Sequence, residues 1–127
     1  MATSTIEYSE KRIVAKGSVS ITTTNGTAWE RVCMTDALPA GTYEISACAN
    51  WAGTKPTGLK IFGFPSSGTA ENDNNTLGIT DNTTYGNIHR LNLMVVRGSA
   101  SKFSFWTKDA GTNTTKSVTY VIRRIDL

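Results

Sequence analysis

The sequence predicts an all-β protein, built as one antiparallel β-sandwich of about eight strands. Three observations carry this. Apolar and polar residues alternate in short runs, which is the period of a strand with one buried face. No segment sustains a 3.6-residue period over three helical turns. Thr, Ser, Asn and Gly are abundant, a mixture that suits strands joined by tight turns. The 127 residues, 39% of them hydrophobic, suffice for one core and not for two. Residues 1–11 read as a short N-terminal arm and 12–127 as the sandwich domain.

Val19 and Ile21 alternate with Ser18, Ser20 and Thr22 in the first run, and Trp29–Met34 forms the second. Between them Asn25-Gly26 tolerates the positive φ angles of a type I′ hairpin turn. Leu38-Pro39-Ala40-Gly41 reverses the chain, with Pro where φ must lie near −65°. The clearest strand follows, where Tyr43, Ile45, Ala47, Ala49 and Trp51 alternate with Glu44, Ser46, Cys48 and Asn50. One of its faces belongs to the core and the other to solvent or a neighbour. Leu59–Phe64 is an apolar run stopped by Pro56 and by Pro65-Ser66-Ser67-Gly68. From Pro65 to Asn87 the chain reads as a long Asn- and Asp-rich connection containing one short strand at Thr76–Thr80, and connections of this length are usually functional or mobile. His89, Leu91, Leu93 and Val95 then alternate with Ile88, Arg90, Asn92 and Met94, leaving both faces partly apolar. Phe103 and Phe105 mark the next strand, Val118 to Ile125 the last, with reversals at Arg97-Gly98-Ser99 and Asp109-Ala110-Gly111.

Thirteen Lys and Arg stand against ten Asp and Glu, a net charge of +3, but the charges are scattered. The one basic pair, Arg123-Arg124, points its members to opposite faces of a strand. Nucleic-acid recognition is therefore not expected. No run approaches the roughly 20 apolar residues of a membrane span, and Met1-Ala2-Thr3-Ser4-Thr5-Ile6-Glu7-Tyr8 lacks the pattern of a signal peptide. Folding in a reducing cytoplasm leaves Cys33 and Cys48 as thiols that act as small hydrophobes.

The one histidine, His89, lies within an apolar strand rather than on a glycine-flanked loop, which suits a satisfied or interface residue. Phosphate loops, metal-ligand spacings and nucleophile elbows are missing from the sequence, and the acidic loops do not match a twelve-residue calcium loop. No enzyme activity, metal or cofactor is expected. Recognition is expected instead from Asn74, Asn75, Asp81 and Tyr85 in the long connection. Trp51 and Trp106, near strand ends, supply rings able to stack on a sugar or anchor a protein. Ile88, Met94, Val96, Tyr120 and Ile122 lie on strands that are apolar on both faces. A two-layer sandwich covers one face with its own core, so these five are expected to form an oligomer interface.

The order of motifs is also familiar. Ala37-Leu38-Pro39-Ala40-Gly41-Thr42-Tyr43-Glu44-Ile45-Ser46-Ala47, preceded by Trp29-Glu30-Arg31-Val32 and closed by Ser117-Val118-Thr119-Tyr120-Val121-Ile122-Arg123-Arg124-Ile125, resembles small bacteriophage virion proteins. These are tail-fibre tips, receptor-binding heads and head-decoration proteins with a jelly roll similar to that of the tumour necrosis factor and complement families. The resemblance implies a jelly roll over residues 17–127, a homotrimer with one sheet facing the threefold axis, and location in a virion after cytoplasmic synthesis. It further implies that the partners are other virion proteins or host cell-surface carbohydrate. A free-standing carbohydrate-binding module or lectin is the alternative reading.

Overall fold

The computed structural model describes residues 12–23, 29–52, 56–66, 75–80, 88–109 and 114–126. Its eight strands are β1 (Ile13–Thr23), β2 (Glu30–Met34), β3 (Gly41–Ala52), β4 (Pro56–Pro65), β5 (Thr76–Thr80), β6 (Ile88–Arg97), β7 (Ser101–Asp109) and β8 (Thr114–Arg124). They occupy 83% of the described residues, which contain no α-helix. Two antiparallel sheets result, one ordered β1-β8-β3-β6 and the other β2-β7-β4-β5. The chain passes repeatedly from one sheet to the other, the connectivity of a jelly roll. The expected short strand coincides with β5. The N-terminal arm and the Asn25-Gly26 turn lie outside the described residues.

The core follows from period two. β3 runs between β8 and β6, in register Ile45 to Ile122 on one side and Ile45 to Leu93 on the other. Tyr43, Ile45, Ala47, Ala49 and Trp51 face inward and are buried, against Leu59 and Ile61 of β4 and Phe103 and Phe105 of β7. Small and large residues complement each other across the layer. Ala47 stands beside Tyr120 in register, and Tyr120 stacks on Phe105 with centroids 4.5 Å apart. Tyr43 meets Phe103 edge-on at 5.9 Å, while its hydroxyl donates to the Pro39 carbonyl and so ties the β2–β3 connection to the core. Leu38 exchanges backbone hydrogen bonds with Ser101, both 2.8 Å.

The β2-β7-β4-β5 sheet is apolar on both faces. Leu59 and Ile61 point to the core, whereas Lys60, Phe62 and Phe64, which point outward, are buried as well. Phe62 lies edge-on to Trp106 at 5.5 Å, and the Lys60 ammonium sits 4.3 Å from the Trp29 ring centroid, a cation–π contact. This is why Leu59–Phe64 reads as a continuous run rather than an alternation. Gly58 is required by the same crowding, since a Cβ there would stand 2.4 Å from the Thr80 carbonyl and 2.6 Å from the Trp29 ring.

Cys33 and Cys48 are free thiols. They belong to different sheets, with Cys33 beside the core on β2 and Cys48 on the outward face of β3. Burial pushes the Cys33 thiol from 9.0 up to about 11. The unfolded chain therefore loses this proton first as pH rises, and Cys33's contribution to stability is complete below pH 9 and lost between there and about pH 11. Burial moves the Tyr43 and Tyr120 hydroxyls in the same direction. At pH 8 the thiolate fraction of Cys33 is about a hundredfold below that of an exposed thiol, so thiol titration of the native protein should leave Cys33 unmodified until denaturant is added. Phe105→Ala removes both a core ring and the Tyr120 stack, and its urea midpoint should report a loss of about 3–5 kcal/mol.

Candidate assembly surface

Among the described residues, the outward face of the β1-β8-β3-β6 sheet is left uncovered by the packing of the sandwich. Across it run rows fixed by register. Arg123, Glu44 and Met94 form one row; Val121, Ser46 and Asn92 the next; Thr119, Cys48 and Arg90 a third; Ser117, Asn50 and Ile88 a fourth. On β1, Lys16 stands beside Val121, and Ser18 beside Thr119. The middle of the face carries short side chains, two of them joined across strands by the hydroxyl bond of Ser18 with Thr119 at 3.0 Å. Its borders carry long ones. The result is a shallow trough of about 240 Å³ over Ser46, Cys48, Thr119 and Val121, walled by Arg90 and Asn92.

Apolar exposure concentrates along the border strand β6. Met94 is 71% exposed, Val96 74% and Ile88 41%. These three expected interface residues share the outward side of one edge strand. Tyr120 and Ile122 do not join them, which corrects the sequence reading. Both point inward from β8, Ile122 fully buried in the core and Tyr120 stacked on Phe105, because β8 keeps the parity of Val118 and the outward positions go to Thr119, Val121 and Arg123. Glu44 and Arg123 pair loosely at 3.8 Å, whereas Arg90 makes no ion pair among the described residues.

The expected recognition residues do not form one site. Asn74, Asp81 and Tyr85 lie outside the described residues. Asn75 is half-buried at the entry to β5. Trp106 is half-buried on the outward face of the other sheet, held by Phe62 and by its indole N–H donating to Ser104 Oγ at 3.1 Å. Trp51 is a core residue, 3% exposed, rather than an exposed ring, because position 51 continues the inward parity of Tyr43.

Around Trp51 the structure assembles polar groups whose pairings the sequence did not show, although His89 read there as a satisfied or interface residue, because the partners stand on different strands. His89 faces inward, its ring 5.3 Å from Trp51 and edge-on to it. Thr80 Oγ1 accepts the Leu59 amide at 3.1 Å and bonds His89 Nδ1. The hydroxyl keeps a second lone pair and its own proton for the ring nitrogen, so it serves either tautomer of His89. One hydroxyl thus ties β4, β5 and β6 together. Nearby, the fully buried Lys116 side chain points inward from β8 and pairs with Glu30 of β2, Nζ to Oε1 3.3 Å.

No protein-family model matches the chain, and no curated protein matches it significantly. Among solved structures it is similar to the MgGH51 α-L-arabinofuranosidase, with a TM-score of 0.53 and 13% identity over 84% of this chain and 19% of that one. It is similar to a chain of deformed wing virus, with a TM-score of 0.51 and 10% identity over 91% and 44%. It also resembles the enzymatically active domain of bacteriophage CBA120 tailspike protein 4, with a TM-score of 0.52 and 13% identity over 87% and 15%. The chain spans less than half the length of each. At these identities what is shared is the fold, a β-sandwich of jelly-roll type.

The ion pair, buried at Lys116 and partly open to solvent at Glu30, makes a testable asymmetry. Lys116→Met keeps the aliphatic packing and removes the buried charge, whereas Glu30→Ala leaves the ammonium buried and takes away a carboxylate beside it. The Glu30 variant should be the less stable of the two in urea by at least about 1 kcal/mol.

Proposed function

We propose that this protein is a non-enzymatic structural component of a bacteriophage virion, a homotrimer serving as a tail-fibre tip, receptor-binding head or decoration subunit. The observation that carries the reading is the row Ile88, Met94 and Val96, whose apolar side chains stand in water on a regular strand where local structure gives no reason for them. Exposed apolar rows on an ordered sheet mark association surfaces. The other sheet already has its outward side chains Phe62 and Phe64 buried, so the β1-β8-β3-β6 sheet is the one available to face a threefold axis. The jelly roll, a fold also found in deformed wing virus and in a phage tailspike domain, suits such a part. The position of His89, locked between Trp51 and Thr80, favours a structural role for it over a catalytic one.

Host cell-surface carbohydrate is the proposed receptor if the subunit lies at a tail tip, and Trp106 and Asn75 are its candidate contacts within the described residues. Trp106→Ala should then weaken adsorption of particles to host cells by at least about tenfold, since one stacking contact commonly contributes more than 1 kcal/mol. Adsorption unaffected by a folded Trp106 variant would leave the capsid or tail-decoration role. The self-association reading is tested by light scattering at micromolar protein, where a mass of three chains of 13.7 kDa each is expected. A mass of one chain would reject it.

A further inference from the structure

Resting on that self-association reading, the geometry points to a specific contact between copies: Met94 of one copy seats in the trough of the next, and Glu44 beside it meets the neighbour's Arg90. Each part of this contact is on the same outward sheet face. The socket is the trough over Ser46, Cys48 and Thr119, whose short side chains leave about 240 Å³ open between longer neighbours. The projection is Met94, 71% exposed and unbranched, a side chain that adapts to irregular gaps. Val96, two residues along the same edge, extends the apolar contact.

Charge decides the occupant in favour of a second copy. The trough wall carries Arg90, a guanidinium with no ion pair among the described residues. A partner that places an apolar group in the socket must bring an anion to that wall, or leave the guanidinium without a counter-charge as water is excluded. The chain itself carries this combination, because Glu44 and Met94 are cross-strand partners in register, their Cβ atoms about 5 Å apart on one face. Glu44 is available for it. Its pairing with Arg123 is long, 3.8 Å, and both side chains are substantially exposed, so that bond is weak. Projection and socket occupy different parts of the face, so one copy can offer its projection to a neighbour while its socket receives a third copy. Heterologous contacts close into a ring when the rotation from copy to copy is a whole fraction of a turn, one third for a trimer, and otherwise run on as a filament.

Charge exchange tests the pairing. Arg90→Glu and Glu44→Arg should each weaken self-association at least about a hundredfold, and the double variant Glu44→Arg/Arg90→Glu should recover to within about tenfold of the wild type, the behaviour of charges that face each other across an interface. Circular dichroism and the urea midpoint establish that each variant is folded. Cys48 on the trough floor supplies a second measurement. Its alkylation should be at least about tenfold slower in the assembled wild type than in the dissociated Arg90→Glu protein, with equal rates counting against the contact. A wild-type trimer indifferent to Arg90→Glu, or a double variant that stays dissociated, overturns this contact while leaving the trimer standing. A wild-type protein that is itself monomeric overturns the reading on which the contact rests.

Discussion

The structure depends on one geometric constraint, that a β-strand has two faces and a two-layer sandwich shelters one of them. β3 shows it most plainly. Its inward residues, Tyr43 to Trp51 in alternation, are buried to the last one, and because it lies between β8 and β6 its pleat sets the parity of both neighbours. A slip of β3 by one residue in that register would carry its whole inward set, Tyr43 to Trp51, to the outside while Ile122 and Leu93 stayed inward. Everything on the outward face, including the short-chain floor and the β6 row, is therefore placed by the inward packing rather than by contacts of its own.

The two sheets answer the constraint differently. The β2-β7-β4-β5 sheet has its outward Lys60, Phe62 and Phe64 buried, with rings and ammonium groups in contact. The β1-β8-β3-β6 sheet presents hydroxyls, a thiol and a few long side chains to the outside. Exposed apolar residues stand on edge strands of both sheets, Ile79 and Met34 on one and Ile88, Met94 and Val96 on the other, but among the described residues the two most exposed, Met94 and Val96, border the β1-β8-β3-β6 face. An unpaired strand edge is a liability when the residues along it are apolar; β6 carries Arg90 in the same outward row, which discourages indiscriminate pairing while leaving a charged contact for a matched partner.

The polar end of the core shows how such a sandwich is closed. Inward positions near the strand ends are held by Trp51, His89, Thr80, Lys116 and Glu30, whose partners come from five different strands. Buried polar groups of this kind must satisfy one another, since an unpaired one is destabilising. They join elements of both sheets at a place where few apolar residues are available to do so, and they give the lone histidine a role in cohesion.

Much of this was legible in the chain as written. Alternation at Tyr43–Trp51 and His89–Val95 identified strands and told which residues share a face, because period two is a local property of the pleat. Pro39, Pro56 and Pro65 marked where strands stop, and Thr76–Thr80 stood out within its polar surroundings. What the sequence could not say is which of two apolar faces turns inward. Tyr120 and Val121 are both compatible with a core, and only the register of β8 against β3 put Tyr120 over Phe105 and Val121 outside. In the same way Trp51 read as a strand-end ring open to a ligand, until the parity of β3 buried it against His89. The pairings of Lys116 with Glu30 and of His89 with Thr80 join residues on different strands, and the trough is made by side chains from three strands. The sequence by itself determines what each strand can bury, because that is written in nearest neighbours; which face it does bury, and what remains exposed together, is decided by register between strands far apart in the chain, a relation that exists only once the sheets have formed.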